Sequence, residues 1–463
     1  MISFKLAAFF GLVAQFAGVL PRCCHSANVS VLIAQFTKVL QRCCHNAGLL
    51  SLNVLLVIIL LYPAAILAST DGALILERAN SNENVYSGGE LVSYLRGNVV
   101  FRYDDMRISS DEATWWKNAG RVDFRKKVKV ERSGDIMTCE RLRFSKDKNL
   151  LNATGQFFYQ DSAEVTFLSG NEAEYSTDKK TFLLKGKPLL VRKEHDDDDT
   201  LFIRGRVMTY NDSLKIATVT DSVRITKGNL SAACKNAEYF TSDNAAYLRI
   251  LPEVFYEGHR VVGDSIDLHF GKETLKSARV VGNSHGRYTE ASASSDDTSV
   301  TYIWSDSLLL TMSSDSGGKG HLETMKAFGK VHGRYSEVSP SSKDTSITHI
   351  WSDSLLLTMS DSGKLDSMQA FGKVLSRYFA AGDSARANEV SGRTMTLRFS
   401  ETGKIEKALI WGNAKSTYYI EESDGGGRNE ASGDQIIVRF ALGRARLLHL
   451  KGNARGTYFP NIN

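Results

Sequence analysis

The stretch RVDFRKKVKVE, Arg121–Glu131, alternates with a period of two. Val122, Phe124, Val128 and Val130 fall on one side, with Lys126 the single exception. Arg121, Asp123, Arg125, Lys127, Lys129 and Glu131 take the other. Successive side chains of an extended strand point to opposite faces, so this pattern lays one face on a core and the other in water. Met395–Phe399 (MTLRF) alternates in the same way, and Ile436–Phe440 (IIVRF) does so less cleanly. From residue 71 onward no stretch of ten residues carries a helical period. The expected class is all-β.

Repeats set the architecture. A seven-residue unit recurs at Gly282–Tyr288 (GNSHGRY), Gly329–Tyr335 (GKVHGRY), Gly372–Tyr378 (GKVLSRY), Gly412–Tyr418 (GNAKSTY) and Gly452–Tyr458 (GNARGTY), at spacings of 47, 43, 40 and 40. Thr298–Ser313 returns nearly unchanged as Thr345–Ser360. Shorter versions occupy the first half: Leu95–Phe101, Gly120–Phe124, Gly155–Phe158 and Gly186–Val191. An Ala-x-aromatic unit alternates with them, as in Ala113-Thr-Trp115, Ala173-Glu-Tyr175 and Ala237-Glu-Tyr239. Gly-Asn and Gly-Lys tolerate positive φ, so each unit is expected to end a strand and turn the chain into the next. The closing Tyr returns an aromatic to the apolar face. One repeat cannot bury that face alone, so neighbours stack. About eleven repeats, each advancing one strand spacing of ~4.8 Å, predict an elongated two-layered stack of roughly 50 Å.

Charge removes one class of function. The pI is near 8.7, yet the excess is local. Residues 1–70 contain Lys5, Arg22, Lys38 and Arg42 and no acid, which leaves 53 Lys+Arg against 52 Asp+Glu in the rest of the 463-residue chain. Nucleic-acid binding needs a concentrated basic face, so no nucleic-acid partner is expected.

The same N-terminal segment contains Leu49–Leu67, 19 residues without a charge. That length crosses a hydrocarbon core of roughly 30 Å as a helix. Positive charges before it place the N-terminus in the cytoplasm and the body outside. A signal peptide with its apolar core at Val54–Leu61 reads similarly, but Ile66 stands where a small residue is preferred. The uncleaved anchor is the favoured reading, and both readings export the body. The expected organisation is 1–48, an n-region with a duplicated segment; 49–70, the anchor or signal core; 71–270, short β-repeats; and 271–463, β-repeats of 40–47 residues.

No chemistry emerges from the motifs. The duplicated Cys23-Cys24-His25 and Cys43-Cys44-His45 lack the spacer of a zinc site, so no metal is expected. Cys139 and Cys234 read as buried thiols. Gly282-Asn-Ser284-His285-Gly286 fits G-x-S-x-G, but other copies replace Ser284 by Val331, Val374, Ala414 and Ala454, which argues against a nucleophile. Glu194–Asp199 lacks the spacing of a calcium loop and reads as a solvated turn. Trp304 and Trp351 read as core residues. The expectation is no catalytic residue, no cofactor and no enzyme activity.

Strands reading Gly-Asn-Val-x-aromatic, as at Gly97–Phe101, alternate with Asp-x-Ala-x-aromatic units such as Asp111-Glu-Ala113-Thr-Trp115. This texture resembles the OstA-like family of periplasmic lipopolysaccharide-transport proteins over roughly Leu74–Tyr458. The resemblance implies a β-jellyroll or taco, two antiparallel sheets folded into a V around an apolar interior. It implies lipopolysaccharide or a related glycolipid as cargo, and other lipopolysaccharide-transport proteins as partners through edge-strand pairing. It also implies a periplasmic location, anchored in the inner membrane if residues 49–67 remain. Val99, Phe101, Tyr103, Val122, Phe124, Val128 and Val130 line the interior, either as a lipid groove or as a closed core. The alternative is a structural or adhesive β-solenoid without cargo. An outer-membrane barrel is disfavoured because the polar face is densely charged.

Overall fold

The computed structural model describes residues 72–163, 165–193, 200–271, 275–291, 298–314, 320–338, 345–379, 386–420, 426–441 and 444–460. The apolar run at 49–67, the duplicated Cys-Cys-His segment and the acidic run at 194–199 lie outside them. Gly72–Asn463 forms one compact unit. Among the described residues no helix is long and apolar enough to cross a membrane. Among the described residues regular structure is antiparallel β, apart from the short 3-10 turn Lys146–Lys148.

The chain runs as an antiparallel meander of successive passes. Where a pass is divided into two strands, both halves pair with the neighbouring pass, as Leu74–Arg78 and Ser81–Ser87 both do with Glu90–Tyr103. Most strands are long enough to bend once and contribute to two layers. In Gly320–Val338, residues up to Phe328 pair with one stretch of the next strand and residues from Val331 with another. Gly329 and Lys330 stand between these pairings opposite the single residue Asp353, a two-against-one bulge that redirects the strand. Their φ angles are +75° and +46°, in the left-handed region. The same bulge lies at Gly97-Asn98 against Asp111, at Gly282-Asn283 against Asp306, and at Gly412-Asn413 against Asp434.

The Gly-Asn and Gly-Lys units therefore have the expected positive φ but a different job. They bend a continuing strand; the turns between strands lie elsewhere. The expectation of one strand per repeat is corrected in the same way. Gly282, Gly329, Gly372 and Gly412 sit on every second strand, Leu275–Ala291, Gly320–Val338, Leu365–Phe379 and Ile405–Ile420. A repeat is thus a strand pair advancing about 10 Å. Lys126, the one break in the alternation of Arg121–Glu131, is also explained. Lys126 and Lys127 (φ +65° and +51°) form the bend of that strand against Glu140, and Val128 resumes the buried phase.

Bulging interrupts the ladder, and a small polar side chain supplies a donor there. Ser110 Oγ donates to Glu112 O at 2.9 Å, Ser305 Oγ to Ser307 O at 3.0 Å and Ser352 Oγ to Ser354 O at 3.0 Å. Cys234 occupies the equivalent position and its Sγ reaches Asn236 O at 3.1 Å. The core lies between the layers. Phe101, Phe124, Phe144, Phe182, Tyr159 and Tyr239 are fully buried in it, each burial contributing about 1.5–3 kcal/mol.

At Gly329 both the positive φ and the space exclude a side chain, because a Cβ would collide with the Asp306 carboxylate. Gly329→Ala is expected to lower stability by about 1–3 kcal/mol in urea unfolding. Adding Asp306→Ala should recover part of that loss, since the collision goes and the backbone strain remains. Full recovery would show that φ at this bend costs nothing.

Candidate functional site

The seven interior residues singled out by alternation all point between the layers. Val99, Phe101, Val122 and Phe124 are 0% exposed, and Val128, Val130 and Tyr103 are 1%, 2% and 6%. Phe101 meets Trp115 and Phe124 edge to face, with ring centroids 5.3 and 5.4 Å away. Here the layers are in contact.

The edge of the layers away from the bends is closed by polar contacts between them. Tyr103 Oη donates to Asn149 Oδ1 at 2.8 Å, Tyr159 Oη to Asp212 Oδ1 at 3.3 Å and Tyr288 Oη to Gly363 O at 2.8 Å, while Asp135 Oδ2, 3.0 Å from Tyr159 Oη, belongs to the neighbouring strand of the same layer. Tyr335 Oη donates to Gly403 O. Tyr288 and Tyr335 are the closing tyrosines of the seven-residue units. They do return to the apolar face, and their hydroxyls then reach a turn of the opposite layer. Sequence periodicity reveals the first property and not the second, because the partners lie 75 and 68 residues away.

Toward the C-terminal strands the layers separate around a cavity of ≈ 240 Å³. One wall is apolar: Leu397, Ile405, Ile410, Val438, Phe440 and Leu448. The facing wall carries Ser376, Asn388, Ser416, Asn429, Tyr378 and Tyr418. The last two strands, Arg444–Lys451 and Arg455–Pro460, each pair only with Gly427–Ala441 among the described residues. Leu447 and Tyr458 are both 51% exposed. The interior is sealed where the alternation is cleanest and open where the sequence signal is weakest, near Ile436–Phe440.

Other candidates resolve into structure. Ser284 is buried and donates to Asp306 O at 3.3 Å, whereas His285 points to the outer face, so the two cannot act together. Trp304 and Trp351 are not core residues. They are half-buried on the outer face and stack on histidines. Cys139 and Cys234 are free thiols whose burial pushes their pKa up to about 12 and about 11, far from the thiolate state that confers reactivity. Among the described residues no group of three or more potential ligands could hold a metal ion.

No protein-family model matches this chain. No curated protein matches it either. Among the solved structures that overlap part of it is the crystal structure of LptH, the LptA-homologous periplasmic component of the lipopolysaccharide transport device from Pseudomonas aeruginosa. The overlap has 15% identity and a TM-score of 0.16, covering 29% of this chain and 76% of that one. At that TM-score the likeness carries no weight for function.

His259 stacks on Tyr288, with ring centroids 4.5 Å apart, and burial lowers its pKa to about 4. An unfolded histidine titrates near 6.5. Stability is therefore complete above about pH 6.5 and declines as pH falls toward 4, where the folded ring finally protonates. The urea-unfolding free energy is expected to fall by about 1–2 kcal/mol from this group between pH 7 and 4, after allowance for solvent screening. His259→Phe should lose less over that range; an equal loss would remove His259 as the cause.

Proposed function

We propose that this chain is a non-enzymatic envelope protein that takes the acyl chains of lipopolysaccharide or a related glycolipid between its two β-layers. In this reading it helps carry the lipid across the periplasm to the outer membrane. The observation that supports it is the cavity near the C-terminal strands, apolar on one wall and polar on the other. An amphiphile fits such a space, each buried methylene contributing about 0.8 kcal/mol. The resemblance of the Gly-Asn-Val-x-aromatic strands to the OstA-like family points the same way. The sealed stretch around Val99, Phe101, Tyr103, Val122, Phe124, Val128 and Val130 would then serve as the scaffold behind the mouth, or open only as cargo advances.

Partners follow from the edges. Among the described residues the strands Arg444–Lys451 and Arg455–Pro460 have no pairing on their other side, and an unpaired edge accepts another strand. Pairing there with other lipopolysaccharide-transport proteins would prolong the interior. Residues 49–67 would hold the chain at the inner membrane. A second reading, a structural or adhesive array without cargo, draws on the fully buried interior at 99–130.

The test uses residues 72–463 expressed in a Gram-negative periplasm and purified without detergent. Lipid extracted from the protein is identified by mass spectrometry. The expected result is lipopolysaccharide or a related glycolipid near one per chain, reduced at least tenfold by Leu448→Asp in the cavity wall with the β circular-dichroism spectrum unchanged. Folded wild-type protein without lipid would favour the structural array and overturn the carrier.

A further inference from the structure

On the outer face of the layer, the duplicated strands assemble a row of rings that no single strand contains. His285, Trp304, His332 and Trp351 come from four consecutive strands and are registered side by side. Their centroids are 5.1, 5.0 and 5.0 Å apart, and the planes are tilted by 4°, 19° and 0°. The stacking direction runs from strand to strand, so the ring normals lie along the sheet and the ring edges face solvent. Aromatic faces are negative and edges positive. Mutual stacking thus hides the negative surfaces and presents a positive, N–H-bearing ridge.

A second row runs beside the first: Arg287, Tyr302, Arg334, His349 and Arg377. Its arginines recur on every second strand, about 10 Å apart. Arg260 stands directly opposite Arg287 in the ladder, a like-charge pairing that costs stability in the absence of an anion. Glu253 answers Arg260 and Glu389 answers Arg377 at 2.9 Å. Among the described residues neither Arg287 nor Arg334 has a carboxylate within ion-pair distance. His285, His332 and His349 have pKa values lowered chiefly by burial, leaving the arginines as the row's fixed charge.

We propose that this face binds a linear acidic glycan, its carboxylates or phosphates on Arg287, Arg334 and Arg377 and its hydroxyls along the ring edges. This is independent of the lipid reading, since it uses the opposite side of the sheet. The arginine interval is wide for nucleic acid, whose duplex phosphates recur every ~3.4 Å along a strand. Binding of single strands also needs open aromatic faces for base stacking, and here stacking has occupied them. Neutral sugars stacking face-on are disfavoured for the same reason.

The full chain, held in non-ionic detergent, is titrated with polygalacturonate, with neutral dextran and single-stranded poly(dT) as comparisons. Affinity electrophoresis should show retardation by polygalacturonate alone. Arg287→Gln/Arg334→Gln/Arg377→Gln should weaken it at least tenfold, while Lys126→Gln/Lys127→Gln/Lys129→Gln, which removes equal charge elsewhere, should leave it within twofold. Retained near-ultraviolet circular dichroism from the stacked tryptophans certifies the fold of each variant. The proposal is overturned by no binding to polygalacturonate, by equal binding of dextran, by tighter binding of poly(dT), or by equal losses in the two triple variants.

Discussion

Two left-handed residues facing one residue of the next strand set the geometry from which the rest follows. At Gly329-Lys330 against Asp353, and again at Gly97-Asn98 against Asp111, the mismatch bends the strand without breaking it. Because the bend recurs in register on neighbouring strands, the bends form a spine and the two halves of each strand form two layers. Apolar residues on both sides of the bend keep the same inward phase, as Phe124 and Val128 do across Lys126-Lys127. One folded ribbon therefore encloses its own core between its two layers.

The interior then differs along its length by how well its side chains fill it. Around Phe101, Phe124 and Phe144 large rings are fully buried and pack on one another and on Tyr103. Around Ala408 and Ser416, where the facing side chains are smaller, the layers part and the cavity appears. The same packing rule gives a sealed core and an open pocket, depending on residue size. The outer face has a separate chemistry. It draws its rings from a duplicated segment, and duplication is what places identical tryptophans two strands apart with a histidine between them.

The all-β class and the inward residues were legible because burial on one face imposes period two directly on the sequence. The bends were half legible. Gly-Asn advertises positive φ, but nothing local says whether a chain with two such residues reverses or merely bends; hydrogen bonds to the next strand decide that. Asp221-Ser222 and Ile250-Leu251 adopt the same conformation without glycine and so left no mark, and Lys126-Lys127 showed only as a break in the alternation. Cys139 and Cys234 precede Glu140 and Lys235, the residues that face bends, as Ser110 precedes Asp111. That equivalence emerges only from register. The ring row was illegible for a related reason, since His285 and Trp351 are brought together by three successive pairings.

The tyrosine contacts share one offset. Tyr103, Tyr159, Tyr288 and Tyr335 each skip three intervening strand passes before reaching a turn of the other layer. A meander bonded only to its neighbours behaves as a one-dimensional chain, free to fray strand by strand from either end. Links across three strands lengthen the unit that must open together. Unfolding then proceeds in blocks, and the two layers can part locally only where such a block has been released.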